Sequence, residues 1–281
     1  RESKPQVRIV PETSYATVIS SITTADSEDV HIIRQDDASG DRFVVTGTVI
    51  AGGPEKKWRC AVSHPALYAG TLFKDLLLKY GLTIEGTLYE GTVSTATLGV
   101  DQFSSKTMSD IVCYFLKESD NLTGECILKT LGASPDAPPG DAAKGIGVVQ
   151  KTLSALGIKP ESYSLVDGSG LSSYDLLSPN IVTQVLSKAY GDLSVFPELS
   201  SALSIAGIDG TLRDRMKATV LAKFVRGKTG TMSGVSCVSG YVQTRKGTVL
   251  AVSIMMNGFT GSAQPFQEVQ DKILQILWES Y

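Results

Sequence analysis

The stretch RGKTGT, residues 226–231, decides the fold of this chain. The runs on either side of it, residues 219–225 and 235–242, are predicted to be strands. A Lys-Thr-Gly triplet at a sheet edge can bind a carboxylate or an oxyanion. The lysine brings charge, the threonine a hydroxyl, and the glycine lets a ligand lie close to the backbone. We therefore interpret Lys228, Thr229 and Gly230 as a candidate anion-binding strand.

Two other interpretations of this triplet compete. The sequence Gly227-Lys228-Thr229 matches the end of a phosphate-binding P-loop. That motif needs a glycine where Ala222 stands and a helix directly afterwards, whereas small residues lead here into a strand, so the P-loop is excluded. A surface lysine in a turn is the structural alternative, and it would be favoured if the triplet stood alone.

Length, composition and charge bound the class of protein. The chain has 281 residues, of which 42% are hydrophobic and 20% charged, which suggests one or two globular domains with ample core. The net charge of −3 argues against a nucleic-acid binder. No apolar run approaches the roughly 20 residues needed to span a bilayer.

The cysteines and histidines give no metal pattern. The spacing of Cys60, Cys113, Cys126 and Cys237 matches no zinc motif, and only two histidines are present, so we expect neither a metal nor another cofactor. We interpret the four cysteines as buried free thiols. A Cys113–Cys126 disulfide stays open if the compartment is oxidising.

The type of predicted secondary structure changes near residue 63. Residues 1–62 are predicted to be a β-rich unit, with strands at 7–10, 30–33, 42–49 and 58–62 and a short helix capped by Thr13. Residues 63–281 are predicted to form mostly helices, then a hairpin and a closing helix. The predicted helices are 66–80, 108–119, 123–131, 142–156, one opening at Ser178 and 264–281; the predicted strands are 83–93, 163–166, 235–244 and 248–256. This order predicts an α+β fold, an antiparallel sheet flanked by helices.

A second polar triplet, Ser119-Asp120-Asn121, lies between two predicted helices. Its structural alternative is a helix N-cap, because these residue types are the best caps, and that alternative would be favoured for the triplet alone. With Lys-Thr-Gly far downstream, however, the chain carries two of the three elements of the active-site-serine penicillin-recognising enzymes. The pair predicts a serine-peptidase cleft.

Longer motifs extend this likeness to one family. They are residues 119–122 with Glu125, the loop DGSGLS at 167–172, residues 227–236 with 239–242, and residues 257–261. On these motifs the chain resembles the class C low-molecular-weight penicillin-binding proteins, the D-alanyl-D-alanine carboxypeptidase/endopeptidase type, from about Cys60 to Tyr281. The first sixty residues resemble more weakly the tail of the family's β-rich inserted domain.

The resemblance implies roles for individual residues. Ser119 would relay protons, Asn121 would hold a substrate amide, and Lys228 would supply charge near Ser119. The hydroxyls of Thr229 and Thr231 would bind the terminal carboxylate of a D-Ala-D-Ala peptide. The N–H of Thr231 would complete the oxyanion hole.

Other residues are placed near this site by the same resemblance. Gly230 and Asp120 lie on its substrate side, with the Asp120 carboxylate turned away to stabilise the turn, and Asp167 and Ser169 form a loop beside it. The implied partners are peptidoglycan stem peptides and β-lactams, and the implied location is the cell envelope or periplasm.

One element of the family pattern is absent. No lysine in the 281 residues has a serine three positions before it, so the Ser-x-x-Lys nucleophile motif is missing. We expect that motif in an N-terminal segment, with this chain as the C-terminal part of a truncated or cleaved protein. A catalytically inactive relative that binds a peptide or a partner is the alternative. Neither His31 nor His64 has the setting of a Ser-His-Asp triad.

Overall fold

The computed structural model describes residues 5–37, 40–92, 99, 101–134 and 139–281. Its contacts divide the chain into two compact units, one up to Gln102 and one from Phe103 to Tyr281. The boundary predicted at residue 62 stays a prediction. None of the described helices is both long and apolar enough to cross a membrane.

The described residues of the first unit form a four-stranded sheet and one α-helix. Its strands are β1 (Ala16–Ser20), β2 (Thr23–Ala25), β3 (Asp29–Asp37) and β4 (Gly40–Ile50), and its helix is α1 (Pro65–Lys79). Strand β4 is central, because it pairs in parallel with β1 and β2 and antiparallel with β3. The carboxylate of Asp75 on α1 accepts hydrogen bonds from Thr13 and Ser14, which ties the helix to the start of β1.

The second unit confirms the predicted fold class. In its described residues, six α-helices flank a four-stranded antiparallel sheet in the order β5-β6-β7-β8. The helices are α2 (Met108–Glu118), α3 (Asn121–Leu131), α4 (Ala142–Ala155), α5 (Pro179–Tyr190), α6 (Phe196–Ala202) and α7 (Gln264–Ser280); the strands are β5 (Ser204–Ile205), β6 (Val225–Met232), β7 (Val235–Gln243) and β8 (Val249–Asn257).

Both faces of this second sheet are covered by helices. On one face, Val225 and Val242 pack with Leu274 of α7 in the main buried cluster. On the other, Tyr241 packs with Leu186 of α5 and Leu203, and its hydroxyl donates to the Leu186 carbonyl at 2.8 Å. Because side chains alternate along a strand, Lys228 lies on the face opposite to that of Val225. That placement directs it toward α2 and α3.

Side-chain caps explain where four helices begin. Thr107, Asp120, Asp141 and Ser178 each accept a hydrogen bond from a backbone N–H in the first turn of α2, α3, α4 and α5. These N–H groups have no partner inside the helix, so a side-chain acceptor stabilises the helix start. The start predicted at Ser178 is confirmed.

Several predicted strands are wrong, because a strand forms only where a neighbouring strand pairs with it. Residues 7–10 and 58–62 and the described residues 83–92 carry β-type sequence but form no strand. Residues 219–224 form turns, so β6 starts only at Val225, and Tyr163–Val166 reduces to one bridge between Ser164 and Leu176. The helix predicted after Thr13 is instead β1, whose alternating burial fits the pairing with β4.

The cysteines are only partly as predicted. All four are free thiols, and the open Cys113–Cys126 pairing is not made. The prediction that all are buried is wrong, because Cys60 and Cys126 are exposed.

Candidate active site

A sharp corner between α2 and α3 presents the first site residues. Ser119 ends α2 in the left-handed region, with φ 54° and ψ 45°, a conformation that costs a residue with a Cβ roughly 1–2 kcal/mol. Asp120 then caps α3, its carboxylate accepting from the Thr123 N–H at 2.8 Å and from the Thr123 hydroxyl at 2.6 Å. The corner therefore turns the Asp120 carboxylate into α3 and separates it from Ser119. Strained non-glycine residues of this kind concentrate at functional sites.

Strand β6 brings a lysine to this corner. The Lys228 Nζ donates to the Ser119 Oγ at 2.6 Å, although the two residues are 109 positions apart, and also to the Thr229 carbonyl at 2.5 Å. We refer to the first of these as the lysine–serine contact. Burial lowers the pKa of Lys228 below that of an ordinary lysine. A lowered pKa brings the neutral amine closer to neutral pH, which suits proton exchange with the hydroxyl.

One edge of β6 is open beside this contact. The Ala206 N–H donates to the Val225 carbonyl at 3.0 Å, which shows that Val225 directs its backbone groups toward β5. Since these groups alternate along a strand, Thr229 and Thr231 direct theirs to the same side. Strand β5 pairs no further than Gly227, so this edge has no strand partner beyond it among the described residues. The N–H of Thr231 thus lies on an exposed edge.

The remaining predicted residues lie around the lysine–serine contact. Asn121 is the exposed first residue of α3, and Gly230 and Thr231 are exposed on β6. The Thr229 hydroxyl donates to the Thr211 hydroxyl at 2.7 Å. Thr211 was not predicted, because no sequence pattern distinguishes a threonine in a turn that lies beside a distant strand.

The loop of residues 167–172 is held against α3. The Glu125 Oε1 accepts from the N–H groups of Gly168 and Ser169, both at 3.0 Å. A Cβ on Gly124 would lie 2.5 Å from the Gly168 carbonyl oxygen, so only glycine allows this approach. Asp167 and Ser169 are therefore placed by the helix that begins with Asn121, and their role beside the site stays a prediction.

Two carboxyl groups in this loop region titrate differently. Burial raises the pKa of Asp175, and the neighbouring Asp167 adds to the rise. Burial acts in the same direction on Asp167, but the N–H groups of Gly170 and Ser172 contribute to a net lowering of its pKa. Asp167 is therefore the charged partner that orders the turn.

The lowered pKa of Lys228 predicts a pH-dependent stability. The pKa of Lys228 is lower in the folded chain than in the unfolded chain. At pH values approaching the ordinary lysine pKa of 10.5, the unfolded chain therefore holds more protons than the folded chain. Stability then rises with pH in that window. Lys228→Met removes the rise, so the stability gap between variant and wild type changes with pH in urea unfolding. Lys246→Met, at the exposed β7–β8 turn, is the matched control. Parallel curves for wild type and Lys228→Met would contradict the expected burial of the amine.

Comparisons with known proteins show the family to which this chain belongs. Residues 3–279 match the model of the D-Ala-D-Ala carboxypeptidase 3 (S13) family. The chain is 36% identical over 240 residues to the D-alanyl-D-alanine carboxypeptidase of Actinomadura sp. (strain R39), covering 82% of this chain and 44% of that protein. It is 29% identical over 212 residues to penicillin-sensitive carboxypeptidase A of Dictyostelium discoideum, covering 73% of this chain and 40% of that protein. The chain thus spans less than half of either relative.

A solved structure shares the fold. Penicillin-binding protein 4 (dacB) from Haemophilus influenzae, complexed with a β-lactam, superposes with a TM-score of 0.77 at 22% identity. The superposition covers 94% of this chain and 64% of that one. At this identity the likeness concerns the fold alone, and it supports the assignment of the antiparallel sheet with flanking helices.

Proposed function

The chain belongs to the D-Ala-D-Ala carboxypeptidase 3 (S13) family, and on that premise we propose that it forms part of a serine-type D,D-peptidase. The substrates are peptidoglycan peptides ending in D-Ala-D-Ala, and penicillins acylate the same site. The observation that carries the proposal is the lysine–serine contact of 2.6 Å, which joins the two motifs of the family across the second unit.

The open edge of β6 supports substrate binding in this proposal. An extended peptide can add to the backbone groups of Thr229 and Thr231 as another strand would. The hydroxyl of Thr231 and the charge of Lys228 then receive the terminal carboxylate. The Thr229 hydroxyl joins them by turning its proton from Thr211 to the carboxylate. Thr231 contributes its N–H to the oxyanion hole, and Asn121 holds the substrate amide.

The reaction requires a nucleophile from outside these 281 residues, which contain no Ser-x-x-Lys. Its serine Oγ forms a bond to the carbonyl carbon of the penultimate D-Ala, and the bond to the terminal D-Ala nitrogen breaks. The Ser119 hydroxyl, held by Lys228, passes its proton to the leaving amine, and the proton that the attacking serine gives up replaces it on Ser119. Water then hydrolyses the acyl-enzyme and restores the serine. This chain alone is expected to be inactive.

A second candidate function is a catalytically inactive relative that binds peptide termini or a partner protein. The absence of Ser-x-x-Lys from the 281 residues is the observation that favours it. Under either function, the family's substrate is in the cell wall, so we place the protein in the cell envelope.

Labelling with a fluorescent penicillin distinguishes the two functions. The intact protein that includes the serine segment is expected to become covalently labelled, and labelling is expected to be blocked by prior treatment with unlabelled penicillin. The 281-residue chain by itself is expected to stay unlabelled. Gel fluorescence and intact mass measure both outcomes. An intact protein that carries Ser-x-x-Lys but takes up no label would disprove the peptidase.

A further inference from the structure

A short segment beside the site, residues 204–212, is anchored in the core at both ends. It begins as β5, where Ser204 pairs with Gly227 of β6, and it ends at Leu212 in the cluster under α7. Ser204 and Leu212 are both 0% exposed. Anchored ends give this segment a defined position relative to β6, from which its side chains can hold other elements.

The first side chain of the 204–212 segment that does so is Asp209. Its Oδ2 accepts from the Lys117 Nζ at 2.7 Å, and its Oδ1 accepts from the Ile205 N–H at 2.8 Å. The Lys117 Nζ also donates to the Leu203 carbonyl at 3.0 Å. The two charged side chains are 19% and 31% exposed, so this ion pair is screened less than a surface pair. Because Lys117 lies in the last turn of α2, the bridge holds the helix end that carries Ser119.

The second side chain is Thr211, which contacts strand β6 on the other side of the lysine–serine contact. Its hydroxyl accepts from the Thr229 hydroxyl at 2.7 Å, and its N–H donates to the Ser204 Oγ at 3.1 Å. Thr229 follows Lys228 directly on β6. The same segment thus contacts the neighbours of both groups in the lysine–serine contact.

We propose that Asp209 and Thr211 are positioning residues, which hold the end of α2 and strand β6 at the separation required for the lysine–serine contact. Neither residue touches the reacting atoms in the proposed reaction. Their effect on catalysis rests on the proposed function, whereas their effect on the contact itself does not. Loss of the Asp209–Lys117 ion pair or of the Thr211–Thr229 hydrogen bond lets the end of α2 and strand β6 separate. Water then reaches Lys228.

The test uses Asp209→Asn, which removes the charge, and Thr211→Val, which removes the hydroxyl at similar volume. Thr211→Ser restores the hydroxyl and serves as the rescue. Asp214→Asn is the matched control, because its pairing with Lys217 is exposed, with side chains 87% and 66% accessible. All variants are made in the intact protein, and their unfolding curves are recorded.

Two readouts are measured. The first is the titration of Lys228, followed by NMR of the protein with 13C-labelled lysine and assigned by the peak missing in Lys228→Met. Its pKa is expected to move up toward the ordinary value in both variants and to stay unchanged in the rescue and the control. The second is the rate of penicillin acylation, expected to fall about 10–100-fold in both variants, since small misplacements of catalytic groups are costly.

An unchanged Lys228 titration in either Asp209→Asn or Thr211→Val would overturn the proposal, even if that variant were less stable. Such a result would leave the segment a purely structural part of the core. A wild-type protein that is not acylated at all would refute the proposed peptidase, and the titration would still decide the positioning role.

Discussion

Lys228→Ala is expected to lower the rate of penicillin acylation of the intact protein by about 10²–10³-fold, the usual effect of removing one preorganised stabilising group. The substitution removes the donor that holds the Ser119 hydroxyl at 2.6 Å. It also removes the only positive charge that the proposed mechanism places near the substrate carboxylate. Stopped-flow or gel-based labelling with a fluorescent penicillin measures the rate.

Lys228→Arg separates charge from proton exchange at the same position. Arginine keeps the positive charge but stays protonated, so it cannot act as the base for Ser119. We expect it to retain penicillin affinity better than alanine does while acylation stays slow. Lys246→Ala, on the exposed β7–β8 turn, is the control for loss of a lysine. Acylation of Lys228→Ala at the wild-type rate would show that Lys228 has no role in the chemistry.

Apart from α6, the helices and the hairpin of the second unit were predicted well from the sequence because their signals are local. These signals are an apolar spacing of 3.6 residues, a cap such as Ser178 and the turn between β7 and β8. Each signal lies within its element or directly beside it. Strands without a local partner were predicted poorly. Residues 7–10 and 83–92 have strand-like composition, yet strand formation depends on a neighbour that composition does not supply.

For the site, the Ser119-Asp120-Asn121 triplet combines a helix cap with a contact to a distant lysine. Asp120 is a helix cap, as the structural alternative required, and Ser119 contacts Lys228, as the functional interpretation required. The left-handed turn at Ser119 separates the two roles. The family resemblance suggested that the two motifs lie close together. Residue spacing alone could not show a contact between residues 109 positions apart.

The residues that support the site left no sequence signal. No element was predicted between α5 and residue 219, so α6, β5 and the turn with Thr211 were missed. Asp209 and Lys117 are charged residue types that usually lie on the surface. Only their partial burial in the structure identifies the ion pair between them. Support of this kind depends on tertiary contacts, which become visible only after the chain has folded.

Gly145→Ala is expected to destabilise the second unit by about 3 kcal/mol, at the upper end of overpacking effects. A Cβ at Gly145 of α4 would lie 2.0 Å from the Leu128 carbonyl oxygen and 2.8 Å from its carbon. These are backbone atoms of α3, so relief requires the two helices to move apart. Leu128 is 5% exposed, and the separation would loosen its packing as well. Urea unfolding followed by circular dichroism measures the loss.

The same substitution two residues along α4 provides the control. A Cβ at Gly147 meets no atom within 4 Å, so Gly147→Ala is expected to stabilise the helix by about 0.5–1 kcal/mol through its higher helix propensity. Opposite signs for the two variants isolate the contact between α3 and α4 from helix propensity. Because α3 begins at Asn121 and holds the 167–172 loop through Glu125, Gly145→Ala is also expected to slow penicillin acylation, and Gly147→Ala to leave it unchanged. Equal stabilisation by both substitutions would show that α3 and α4 are not in close contact, and α3 would then need another support for its place in the site.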